Sequence, residues 1–141
     1  MASDQAHGSD RAALWNLSQL RRPAAAAPRR GEIWYVFTPG QPDDPHKPRP
    51  AVVVSENVRN RMRDDLIVVP VFSAGQLGPT RVTLPARSSG LRRNSVIFCE
   101  EITTIDRDFL ARGPVGSLSP KLMEAVVRSI RRAIGEVVPE P

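Results

Sequence analysis

Apolar positions in this chain gather into short runs separated by proline- and glycine-rich stretches, the pattern of a small β domain. Gly31–Phe37 (GEIWYVF) is rich in aromatic and β-branched residues and reads as the first strand. It runs into a segment from Thr38 to Pro48 whose spaced prolines forbid helix and interior strand alike, so a long surface loop is expected. Ala51–Ser55 is apolar almost throughout, as a strand buried on both faces would be. Asn57 to Asp65 is polar and basic, suiting a short turn, and Leu66–Phe72 is a third strand in which Pro70 marks an edge or a bulge. Thr80–Leu84 alternates as a half-buried strand, and the Gly90–Asn94 turn leads to a fifth strand over 95–102. The last element is helical. Ser119 can cap it, Pro120 suits its first position, and apolar residues from Leu122 to Val137 recur on one face. Five short strands, long loops and a C-terminal helix amount to a small, mostly antiparallel barrel.

Length and composition refine this picture. The 141 residues hold one domain and a tail, expected to divide at 1–29 (disordered tail) and 30–138 (folded domain). The tail's alanine- and proline-rich stretch at 21–28 suits a linker, although Leu14, Trp15 and Leu17 could also form a short docking helix. No apolar run reaches the ~20 residues of a membrane-spanning helix, and the polar N-terminus is not a secretory signal. The single cysteine, Cys99, permits no internal disulfide and points to a reducing, cytoplasmic setting. The net charge of +5 favours polyanionic partners, but a chain in which arginine so outnumbers lysine also fits plain compositional bias.

The chemistry that the sequence lacks narrows the function. His7 and His46 stand alone, one cysteine makes no zinc site, and no glycine-rich phosphate loop or nucleophile elbow is present. The neighbouring pairs Asp43–Asp44 and Glu100–Glu101 point to opposite faces of an extended chain and form no ready two-metal cluster. No metal or cofactor is therefore expected, and arginine, hydroxyl and carboxylate groups remain.

Three segments carry the most information: Arg30–Trp34 (RGEIW), Lys47–Ser55 (KPRPAVVVS) and Ile67–Ser73 (IVVPVFS). Gly78–Val82 (GPTRV), Gly90–Leu91, Asn94–Val96, Glu101–Asp106 (EITTID) and Gly116–Pro120 (GSLSP) follow in order. This ordered set resembles the MazF/PemK family of type II toxin–antitoxin toxins over about residues 30–137. The resemblance implies an SH3-like barrel of the PemK/MazF/CcdB type, a homodimer that cleaves single-stranded mRNA without a metal, and a MazE-like antitoxin partner. The implied reaction turns the ribose 2′-hydroxyl on the adjacent phosphate, leaving a 2′,3′-cyclic phosphate and a 5′-hydroxyl. Arg49 matches the family's arginine, and its planar guanidinium suits a phosphate in which charge is building. Where the family commonly has threonine this chain has Phe72, followed by Ser73, which becomes the candidate hydroxyl if the strand's register breaks there. The resemblance carries Asp44, Lys47, Thr80 and Arg81 as RNA-binding positions, with Arg87, Arg92 and Arg93 as further phosphate-tracking candidates. Glu101 and Thr103 stand where glutamine and arginine are common, which leaves the cleavage sequence open. Trp34 offers either a stacking surface or core packing. Two alternatives share the resemblance: a CcdB-like gyrase poison, and a relative that binds RNA without cutting it.

Overall fold

The computed structural model describes residues 27–37 and 47–141. The Leu14–Trp15–Leu17 cluster of the expected tail and residues 38–46 of the expected loop, Asp44 among them, lie outside these.

Among the described residues, seven strands, all paired antiparallel, and two α-helices make up the fold. β1 (Glu32–Val36), β2 (Arg49–Val53) and β3 (Asp65–Phe72) lie side by side, and β7 (Leu110–Ser117) covers the free edge of β1. The far edge of β3 is shared. Its first half, Asp65 to Val68, pairs with β6 (Thr103–Asp106), and its end, Val71–Phe72, pairs with β5 (Ser95–Phe98), which carries β4 (Arg81–Leu84). Pro70 falls between those two pairings; lacking an N–H, it suits the point where one neighbour gives way to the next.

Alternation along β2 sends side chains into two cores. Val52 joins Ile33, Val69, Val71 and Ile97 in one cluster, while Ala51 and Val53 join Val36, Leu66 and Val68 in the other. The expected burial of this strand on both faces is thus met, and the strand starts two residues early, at Arg49. α1 (Asn57–Met62) occupies the segment expected to be a turn. The Glu56 carboxylate caps it, accepting from Val58 N at 3.1 Å and Arg59 N at 3.0 Å. Buried Asn60 ties it inward, accepting from Ser55 Oγ at 2.5 Å and donating to the Ser55 carbonyl at 3.0 Å.

The predicted strand over 95–102 stops at Phe98, where a 3₁₀ turn at Cys99–Glu101 bends the chain. Strands β6 and β7 were not anticipated. α2 (Pro120–Ala133) starts as expected, with Ser119 Oγ accepting from Leu122 N at 3.2 Å. It ends four residues before Val137, because Gly135 at φ +102° closes it, and Val137 is 95% exposed rather than part of the packed stripe. Met123 and Val126 of α2 pack on the first core.

Candidate nucleic-acid interface

A cavity of about 640 Å³ opens where the start of β2 and the end of β3 meet β1, β7 and the turn before β5. The charged residues of its described lining are Lys47, Arg49, Arg92, Arg93 and Arg112, all cationic. Tyr35, Pro50, Val71, Phe72 and Leu91 supply apolar wall, and Ser73 and Ser95 supply hydroxyls.

Four of the five cations, the arginines, have a structural reason to be there. Arg49 opens β2 opposite Val36, between two prolines that keep the approaching chain extended. Arg112 lies across from Tyr35 on β7, and its guanidinium stands 3.9 Å from the Tyr35 ring centroid. The β1–β7 register shifts on both sides of Tyr35, so the strand kinks beside the cavity. Arg92 and Arg93 sit on a turn pressed against β7. A Cβ on Gly90 would approach the Val115 carbonyl oxygen to 2.0 Å, and one on Gly116 would approach the Ser89 oxygen to 1.9 Å. Only glycines permit that contact, and Gly90 also holds φ +93°.

Strand β3 ends at Phe72, and Ser73 begins a bend, so strand alternation does not dictate where its hydroxyl points. Both residues line the cavity together with Arg49 and Lys47. Thr80 and Arg81 do not line it. Arg81 donates from Nε and Nη2 to Glu100 Oε2 at 2.9 and 2.6 Å, and Thr80 Oγ1 donates to Glu100 Oε1 at 3.1 Å. The Arg81 guanidinium, its hydrogen bond first among the causes, holds the Glu100 carboxyl below the usual carboxylate range. Arg87 is also outside the cavity lining. Trp34 packs on the second core, its indole N–H donating to Glu32 Oε1 at 3.0 Å.

Arg112, Ser95 and Val115 are among the cavity residues that the sequence did not single out. Arg112 lies in Leu110–Ser117 (LARGPVGS), whose two glycines and proline read as loop; Ser95 reads only as the start of a strand. Among the described residues no three His, Cys, Asp or Glu side chains cluster as metal ligands, and no helix is long and apolar enough to cross a membrane.

The sequence and this antiparallel fold match known proteins. The PemK-like, MazF-like toxins of type II toxin–antitoxin systems, as a family, match residues 29–134. The chain belongs to this family. Endoribonuclease EndoA of Bacillus subtilis is 27% identical over 106 residues, covering 73% of this chain and 90% of that protein. Endoribonuclease MazF6 of Mycobacterium tuberculosis is 30% identical over 109 residues, covering 74% of this chain and 95% of that protein. Among solved structures, a mycobacterial endoribonuclease in complex with its cognate antitoxin superposes with a TM-score of 0.66 at 26% identity, covering 80% of this chain and all of that one. MazF of Deinococcus radiodurans shares the fold, with a TM-score of 0.65 at 23% identity over 78% of this chain and 98% of that one.

Proposed function

We propose that this protein is the endoribonuclease toxin of a type II toxin–antitoxin pair, and that it cleaves single-stranded RNA in the Arg49 cavity. The observation that carries this reading is the cavity itself, in which every charged residue of the described lining is a cation and Arg49 stands at the strand start matching the family's arginine.

RNA contains its own nucleophile, the 2′-hydroxyl, so the protein must chiefly hold the strand and stabilise charge. Attack of the 2′-oxygen on phosphorus breaks the bond to the 5′-oxygen, and the proton lost from the first is balanced by one gained at the second. The products are a 2′,3′-cyclic phosphate and a 5′-hydroxyl. Arg49 donates to the phosphoryl oxygens as charge builds on them. Ser73 is the hydroxyl candidate beside it, and Lys47, Arg92, Arg93 and Arg112 hold the flanking phosphates. Thr80 and Arg81, engaged by Glu100, are not assigned to phosphate. The folded toxin domain spans 30–138, works as a homodimer in the cytoplasm, and is neutralised by a MazE-like antitoxin.

The test is incubation of purified protein with a varied set of single-stranded RNAs in excess EDTA, with end-group analysis of the products. Cyclic phosphate and 5′-hydroxyl ends are expected, and fully 2′-deoxy strands should stay intact. Failure to cut any RNA would sink the reading. Phe72 in place of the family's threonine gives one rival its footing: a relative that binds RNA but leaves it whole. The same experiment, paired with a binding assay, separates the two.

A further inference from the structure

We propose that Phe72 is a stacking platform for the RNA base next to the phosphate held by Arg49, with Phe98, Arg81 and Glu100 as the brace that holds it. The proposal rests on the RNA-binding reading of the cavity and goes on to name the residue on which a base stacks.

Two aromatic rings line the described part of the cavity, Tyr35 and Phe72. The Arg112 guanidinium covers a face of the first. Phe72 is half-buried, and its ring neighbour is Phe98, at 4.5 Å between centroids with the planes tilted by 60°. A tilted contact of that kind leaves ring surface to the cavity that Phe72 lines. The β2–β3 pairing runs Val53↔Val68, Val52↔Val69, Ala51↔Pro70. Continued two residues further, it sets Phe72 opposite Arg49, and residues directly opposite in an antiparallel pair project to the same side. A base stacked on Phe72 would therefore lie beside the phosphate held by Arg49.

The brace behind the ring is unusually well tied. The Arg81 guanidinium lies 3.7 Å from the Phe98 centroid. It is fixed by two bonds to Glu100 and by donation from Nη1 to the Gln76 carbonyl at 2.8 Å. Gly75 closes on the same ring, since a Cβ there would come within 2.5 Å of Phe98 Cζ. Phe98 thus has little freedom, and Phe72 leans on a fixed support. A platform ordered before binding loses less entropy when a base docks. An aromatic ring set among cations is the combination by which single strands are gripped, the cations tracking phosphates and the ring taking a base. This also explains Arg81: it acts through Phe98 and is a positioning residue.

The experiment is equilibrium binding of short single-stranded 2′-deoxyoligonucleotides, which cannot react, so that it reads stacking apart from cleavage. One series carries an abasic site moved along the strand. Wild type is expected to lose about 10- to 100-fold in affinity at one abasic position. Phe72→Leu should lose the same on the intact strand and be indifferent to that abasic site, whereas Phe72→Tyr should behave as wild type. In Phe72→Trp the new indole emission, read against the wild-type tryptophan background, should be quenched on saturation. Glu100→Gln should weaken binding several-fold in the wild type and not in Phe72→Leu. Wild-type affinity in Phe72→Leu, with an unchanged abasic profile, overturns the proposal even if RNA is cleaved. Absence of saturable binding to any strand overturns it as well. Retained stacking with no RNA cleavage would remove the endoribonuclease reading and leave the platform standing.

Discussion

In the proposed reaction Arg49 is the residue on which the chemistry turns, and that role requires its identity to matter more than its charge. Arg49→Ala should reduce the single-turnover cleavage rate by ~10²-fold or more, because a preorganised donor to the transition state is lost. Arg49→Lys keeps the charge but loses the planar fork, so single-turnover rates should stay well below wild type. If Lys restores the full rate, the guanidinium geometry is irrelevant and the assigned role is wrong. Cys99 shows the opposite case, a reactive group made inert. Burial, its first cause, pushes the thiol up to about 12, against a hydrogen bond from Ser129 that acts the other way. Well below pH 9 the thiol is mostly neutral in the unfolded chain, with a minor reactive thiolate fraction, and wholly so in the folded one. Between 9 and about 12 only the unfolded chain releases the proton, so stability falls as pH rises through that window. Iodoacetamide at pH 8 should label Cys99 in denaturant and leave the native protein unmodified by mass spectrometry; rapid native labelling would contradict the burial.

At the scale of elements, the cavity depends on a contact that two glycines permit. The Ser89–Gly90 turn lies so close to Val115–Gly116 of β7 that no side chain fits between them. Gly116→Ala should force the turn away and destabilise the fold by about 1–3 kcal/mol, read by chemical denaturation. It should also weaken RNA binding, because Arg92 and Arg93 ride on that turn; unchanged stability and affinity would show that the contact is dispensable. The same segment shows where the sequence was legible and where it was not. β1 to β3 declare themselves by concentrated β-branched and aromatic residues. Leu110–Ser117 pairs with β1 despite two glycines and a proline, through long-range contacts that no local propensity records. Ser95–Ile102 reads as one apolar run, yet the 3₁₀ turn at Cys99–Glu101 divides it, since tertiary packing overrides propensity there. Arg49 was found through the ordered motifs of the family resemblance, in which it stands at the family's arginine position. Arg112 was invisible because its strand was invisible.

For the whole molecule, the question left by composition was whether a net charge of +5 reflects a partner or arginine bias. Placement decides it. Five basic residues line one cavity, and the remaining fifteen basic side chains equal the fifteen acidic ones in number. The cavity's five cations equal the chain's net charge in number, and their field would draw and hold a polyanion. Elsewhere several arginines are tied to carboxylates, as Arg59 is to Asp65 at 2.6 Å and Arg132 to Glu140 at 2.8 Å. Counterion release makes this measurable. Each phosphate neutralised on a single strand contributes about −0.7 to the slope of log affinity against log salt. Full use of the cavity's cations predicts a slope near −3.5 for a single-stranded oligonucleotide, from that same relation. Arg112→Ala should make the slope shallower by about 0.7, whereas Arg81→Ala, whose guanidinium faces Glu100, should lower affinity while leaving the slope nearly unchanged. Titrations at four or five salt concentrations separate the two variants. A wild-type slope near zero would mean that binding does not run through phosphates, and the basic cavity would then need another ligand.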